Sequence, residues 1–156
     1  VYSYSDLLVP YIQFMNDSTA FAVGDTRLMM YTGSQKPVVA AEYLYEKEIQ
    51  SVFFSDRYVG LVFLSDDTAS AYQMDVYDVN AQKVGSYYFD VDYTDIFFLQ
   101  DYFVAYNETE CEIITLGGVE KFKGTFDKTV RLMIPAGGTY KYAIVTENSI
   151  DTIQLK

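Results

Sequence analysis

Histidine and tryptophan are absent from this chain of 156 residues, cysteine occurs once, and 11 basic residues face 22 acidic ones. Each shortage excludes something. Without histidine there is no Ser-His-Asp triad, no Cys-His dyad and no imidazole metal site. One cysteine cannot form an internal disulfide. The net charge of −11 argues against nucleic-acid binding, because phosphates call for clustered Lys and Arg. It argues equally against adsorption to an anionic membrane surface. With 9 Gly and 3 Pro the chain is neither collagen-like nor a flexible linker. No run of 18 or more apolar residues is present, so no helical membrane span and no direct insertion by this segment are expected. No basic stretch followed by an apolar one marks a signal peptide.

What is abundant is hydrophobic and aromatic. Half the residues are hydrophobic and 17% are aromatic, with 16 Tyr and 11 Phe, so the chain folds rather than staying disordered. Its length fits one domain, 1–156, with a proper core. The hydrophobic pattern has period two. Runs such as Tyr58–Phe63, Tyr72–Asp78 and Glu112–Leu116 are rich in β-branched and aromatic residues. Asn16-Asp17, Gly33-Ser34, Asp66-Asp67, Asn107-Glu108, Gly117-Gly118 and Gly137-Gly138 punctuate them. This pattern predicts an all-β fold. Only Val39–Gln50 hints at a helix, and it reads better as a strand followed by a polar connection.

A weak internal repeat organises the strands. Units open at Ile12, Ile49, Ile96 and Leu132, spaced 37, 47 and 36 residues apart. Each contains three or four apolar runs separated by turn residues, the signature of a β-propeller blade. The expected fold is therefore β-propeller-like with about four antiparallel blades, at approximately 11–47, 48–93, 94–129 and 130–156. A single meander curled into a sandwich or barrel is the alternative. Four blades can close a propeller, yet six to eight are commoner, so the chain is also readable as the C-terminal half of a larger one. It opens on Val1 rather than Met, and we expect any anchor or export signal to lie upstream. The segment Val1 to Tyr11 is expected to close a small ring with the last unit, or else two copies pair. The expected core comprises Ile49, Phe53, Val59, Leu61, Val62, Ile96, Phe98, Val104, Ile144 and Val145.

The stretches Ser3–Tyr11, Gly33–Pro37, Met74–Asp78, and Cys111-Glu112-Ile113 followed by Lys121-Phe122 carry a resemblance. They are similar to a family of gut Firmicutes proteins that carries a domain-of-unknown-function label. The resemblance covers nearly the whole chain. It implies an N-terminal transmembrane helix, upstream of this segment, and an extracytoplasmic propeller-like domain. It supplies no catalytic residues.

Candidate sites are few. Asp90, Asp92 and Asp95 alternate along an extended segment and are the weak candidates for calcium. No D-x-D-x-D-G loop or bidentate Glu accompanies them, and aspartates commonly cap turns, so no metal and no cofactor are expected. Paired carboxylates could hydrolyse a glycoside, but no local pattern selects two of the 22 acids. Tyrosine offers a flat apolar ring with a polar tip, suited to sugars and protein surfaces, although it also fills half-buried strand positions. Near turns, Tyr58, Tyr102 and Tyr140 are the candidate ligand-binding residues. Cys111, between Glu110 and Glu112, reads as an inert strand residue. Asn16-Asp17-Ser18 and Asn107-Glu108-Thr109 read as turns.

The expected role is a non-catalytic extracytoplasmic domain at the bacterial cell envelope, membrane-anchored through an upstream segment, binding a protein or polysaccharide. Two alternatives stand beside it. One is a carboxylate-dependent glycan-active or calcium-dependent enzyme. The other is a structural module completing a larger propeller, whose partner is the missing upstream part of its own chain. The acidity yields a first prediction: an electrophoretic mobility assay with duplex DNA at physiological ionic strength should show no micromolar binding, and salt-sensitive retardation would contradict it.

Overall fold

The computed structural model describes residues 11–155. The opening segment Val1 to Pro10, including most of the expected closing strand, lies outside them. Among the described residues there are fifteen strands and no helix, arranged as four antiparallel sheets. The first sheet has β1 (Tyr11–Asn16), β2 (Thr19–Gly24), β3 (Arg27–Thr32) and β4 (Val38–Leu44). The second has β5 (Ser51–Phe54), β6 (Tyr58–Leu64), β7 (Tyr72–Asp78) and β8 (Lys83–Phe89). The third has β9 (Asp95–Leu99), β10 (Tyr102–Tyr106), β11 (Glu110–Thr115) and β12 (Glu120–Thr125). The fourth has only three strands, β13 (Leu132–Pro135), β14 (Lys141–Val145) and β15 (Ile150–Gln154). In each sheet, spatial order follows chain order. Such up-and-down sheets follow from short connections, which let each strand turn back on its predecessor.

Short polar side chains make those connections. The Asn16 amide oxygen accepts from the Ser18 amide at 2.9 Å. The Asp78 carboxylate accepts from the Asn80 and Gln82 amides at 2.8 and 2.9 Å. Asn107 accepts from the Thr109 and Glu110 amides at 2.8 and 2.9 Å. Each side chain replaces a backbone acceptor within its turn. Val38–Leu44 is the strand read from the sequence, and the polar residues after it form its connection.

The chain divides into two compact units, Val1–Tyr88 and Phe89–Lys156. In the first unit, register places Phe21 opposite Met30 and Val23 opposite Leu28, on one face of the first sheet. These side chains pack with Val59, Leu61, Phe63 and Tyr77 of the second sheet. In the other unit, Val104, Tyr106, Cys111 and Ile113 of the third sheet pack with Met133, Tyr142 and Ile144 of the fourth. The central strands β6 and β10 are buried from Val59 to Phe63 and from Tyr102 to Tyr106, as their unbroken apolar runs require.

The outer strands behave differently. Ile12 and Phe14 of β1 are 63% and 73% exposed, on the face opposite Phe21 and Val23. With Ala20, Ala22 and Tyr31 they line an apolar groove of about 470 Å³. Leu132, Ile134 and Ile150 of the fourth sheet are also exposed, and register places Leu132 and Ile150 on either side of Val145. The first and last sheets thus each carry one open apolar face.

Several expected core residues differ. Val59, Leu61, Val62, Ile96, Val104 and Ile144 are buried, but Ile49, Phe53, Phe98 and Val145 are only half-buried. Phe98 lies on β9, the first strand of its sheet, and its ring meets the edge of the enclosed Phe103 at 6.2 Å. Phe103 is fully buried. Phe103→Ala should therefore cost about 3–5 kcal/mol in urea unfolding, and Phe98→Ala clearly less. Equal losses would contradict this division.

Candidate functional site

In the C-terminal unit, the β9–β10 turn and the β13–β14 connection border a cleft of about 500 Å³. The turn supplies Leu99, Gln100, Asp101 and Tyr102, and the connection supplies Pro135 and residues 137–140. The Leu99-to-Tyr102 turn is so tight that Gln100 adopts φ 38°. Gly137 and Gly138 take φ 69° and 119°, a path that side chains would strain. Tyr140 follows at φ 55°, a left-handed conformation in which a bulky residue is an outlier. Strain of this kind persists only where the surroundings hold it, and it concentrates at ligand-binding positions.

The surroundings of Tyr140 do hold it. Its carbonyl accepts from the Leu155 amide at 3.0 Å, and the neighbouring Thr139 carbonyl accepts from the Gln154 side-chain amide at 2.6 Å. The Tyr140 ring lies 5.1 Å from the Tyr102 ring, tilted at 56°. Tyr102 is buried, and its hydroxyl accepts from the Tyr142 hydroxyl at 3.3 Å. Burial holds the Tyr142 phenol far above its ordinary range, and the bond to Tyr102 adds to this. Tyr142 is therefore neutral at any physiological pH. Tyr102 forms a fixed floor, Tyr140 a half-buried wall, and Asp101 contributes an exposed carboxylate.

Of the three tyrosines singled out from sequence, Tyr102 and Tyr140 come together in this cleft. Tyr58 belongs to the N-terminal unit, at the start of β6, with the Arg57 guanidinium 5.5 Å from its ring centroid. Gln100 and Asp101 escaped the sequence reading. Their only signal was a polar pair between two apolar runs, which marks a turn but not the cleft beside it.

The aspartates considered for calcium do other work. The Asp90 carboxylate accepts from Lys123 Nζ at 2.7 Å. Asp95 accepts from its own following amide at Ile96 and from the Tyr106 hydroxyl, at 2.9 and 3.4 Å. Asp92 contributes its backbone carbonyl to the Asn107 side chain at 3.1 Å. Among the described residues, no three Cys, Asp or Glu side chains gather as a metal site.

Among the described residues two carboxylates are buried, and each has a lysine. Asp75 on β7 accepts from Lys83 Nζ, Ser86 Oγ and Gln73 Nε2 at 2.7, 2.7 and 3.0 Å. Glu112 on β11 accepts from the Asp90 amide at 3.3 Å and lies 3.6 Å from Lys123 Nζ. Burial raises the Glu112 carboxyl above its usual range, against the opposing pull of the Asp90 amide and Lys123. The Cys111 thiol is pushed up to about 12, chiefly by burial and then by Glu110 and Glu112, so it is no nucleophile.

No curated protein matches the chain in sequence. Among solved structures it is similar to Hsv2 of Kluyveromyces lactis, at 12% identity and TM-score 0.53, over 97% of this chain and 47% of that one. It is similar to BamB from Moraxella catarrhalis at 11% identity and TM-score 0.55, covering 92% and 46%. Sqt1 of Saccharomyces cerevisiae matches at 13% identity and TM-score 0.56, covering 90% and 41%. All three are β-propeller proteins, and the all-β, propeller-type fold expected from the repeats is the fold of this chain. The chain spans about half the length of each.

The raised Glu112 carboxyl gives a pH prediction. A folded state that holds the proton more tightly than the unfolded chain loses that contribution as pH rises through the folded value. Glu112→Gln removes the dependence. In urea unfolding, its stability relative to the parent should improve from pH 4 to pH 7, and a relative decline would contradict the assignment. The DUF5711 model, described as a family of unknown function, matches residues 1–155, and the chain belongs to that family.

Proposed function

We propose that the chain is a non-catalytic binding domain of the bacterial cell envelope, outside the cytoplasm and tethered through an upstream membrane anchor. It takes a protein or polysaccharide ligand at the Tyr102–Tyr140 cleft. The observation that carries this reading is Tyr140, held in a left-handed conformation at the wall of a 500 Å³ cleft. Connections held by rigid sheets are where binding residues concentrate, and the volume lies in the range of small-ligand pockets, about 300–1,000 Å³. A binding role is favoured over a hydrolytic one because the buried carboxylates Asp75 and Glu112 are each engaged by a lysine. The envelope setting is supported by the resemblance of the sequence to anchored, extracytoplasmic proteins.

A second reading is favoured by a different observation. The open apolar faces of the first and last sheets, with Phe14 73% and Ile150 74% exposed, fit a module of a larger propeller whose further sheets cover them. Apolar patches of this kind mark contact sites. The two readings are compatible, since a cleft on one unit and a seam elsewhere serve different partners.

The test is a glycan array and an envelope-protein overlay probed with the parent and with Tyr140→Ala. The parent should bind a defined subset, and the variant should lose that subset while keeping its melting temperature within a few degrees. Identical profiles for the two would overturn the cleft as the binding site.

A further inference from the structure

The cleft can be read for the chemistry of its ligand, an inference that rests on the binding role proposed above. We infer that it receives the cationic side chain of a basic peptide segment, an arginine for preference, on a protein partner. Four observations converge. Asp101 lies at the cleft, exposed, and no hydrogen bond or ion pair engages its carboxylate among the described residues. Neither Lys nor Arg is among the residues lining the cleft, so nothing there neutralises that charge from within. Two tyrosine rings stand 5.1 Å apart beside it, one buried and one half-buried. The whole chain carries a net charge of −11.

Each observation selects against other ligands. An acidic ligand, protein or polysaccharide, meets both the local carboxylate and the field of the chain. A neutral sugar can stack on Tyr140, but the Tyr102 hydroxyl is buried and already accepts from Tyr142, which leaves a sugar at most its single proton. A neutral ligand would also cover the Asp101 carboxylate while offering it no charge, which leaves a poorly compensated buried ion. A guanidinium answers every feature. Its flat face stacks on an aromatic ring, its edge presents paired donors to a carboxylate, and it is weakly hydrated. A lysine ammonium satisfies the charge but not the planar stack. The acidic field then hastens encounter without fixing register, while the cleft supplies the register.

The test uses the whole chain and an array of nonapeptides with one central arginine in varied flanks. Every peptide is paired with copies carrying citrulline, lysine or glutamate in its place. Citrulline keeps the shape and removes the charge. The hits are then measured by fluorescence anisotropy at low and physiological salt. The inference expects arginine peptides to bind at least about tenfold more tightly than their citrulline copies, with lysine between them. It expects Asp101→Asn to erase most of that preference, and Tyr140→Ala to weaken all arginine hits. Tyr140→Phe, which keeps the ring, should retain them. Citrulline copies that bind as well as arginine would overturn the inference. So would cleft-dependent binding of a neutral glycan with no peptide hits, although the binding role itself would then stand. Absence of any Tyr140-dependent ligand in the peptide and glycan arrays would overturn both. Melting temperatures of Asp101→Asn and Tyr140→Phe near the parent's show that a lost signal is not lost folding.

Discussion

Tyrosine hydroxyls that reach from one sheet to the next are the interaction on which each unit depends. In the N-terminal unit Tyr45, just past the first sheet, donates to the Tyr77 hydroxyl of the second at 2.6 Å. Tyr43 of β4 donates to the Ala81 carbonyl at 2.6 Å. In the C-terminal unit the Tyr142 hydroxyl of β14 donates to Tyr102 of β10, and the Met133 amide of β13 donates to the Tyr106 hydroxyl at 3.3 Å. A chain without tryptophan thus builds its inter-sheet cores from rings that fill volume and end in a polar atom. Burying those atoms unpaired would be costly, so each pairing also fixes how far one sheet can slide over the other. Burial raises the Tyr45 and Tyr77 phenols above their ordinary range, which keeps both neutral.

The two buried acids repeat a second device. Asp75 and Glu112 occupy the third strand of their respective sheets, and each is met by a lysine from the fourth. Register puts Asp75 opposite Leu61, and Glu112 opposite Ala105 and Lys123. The outer strands β8 and β12 carry more exposed residues than β7 and β11, which they flank. A buried charge that only that strand can neutralise ties it to the rest. The first sheet has Met29 in the comparable place and a more exposed Arg27–Glu42 pair at 2.8 Å instead. The acidity of the chain is thus partly structural, whereas the Asp101 carboxylate at the cleft is exposed.

Much of the fold was legible because it is local. Period-two runs bounded by Asn, Asp and Gly marked strands and turns, and the spacing of Ile12, Ile49, Ile96 and Leu132 marked the sheets. Burial was less legible. Phe98 and Phe103 look alike in sequence, yet only the central position of β10 encloses Phe103. The site was half legible. Tyr102 and Tyr140 stood out as tyrosines near turns, but so did Tyr58, and proximity between residues 38 apart has no local signature. The strain at Gln100 and Tyr140 was invisible, because neither residue type announces a positive φ as glycine does. The repeat count raised the possibility of a larger propeller, and only register and burial showed which side chains stand exposed on the first and last sheets.

If hydroxyl pairing holds the sheets together, its energy must be a property of pairs rather than of single residues. A double-mutant cycle on Tyr45→Phe and Tyr77→Phe, followed by urea unfolding, isolates it, since phenylalanine keeps both rings and removes both oxygens. The account predicts a coupling of about 0.5–1.5 kcal/mol, with the double variant more stable than the sum of the single losses implies. Losses that simply add would contradict it.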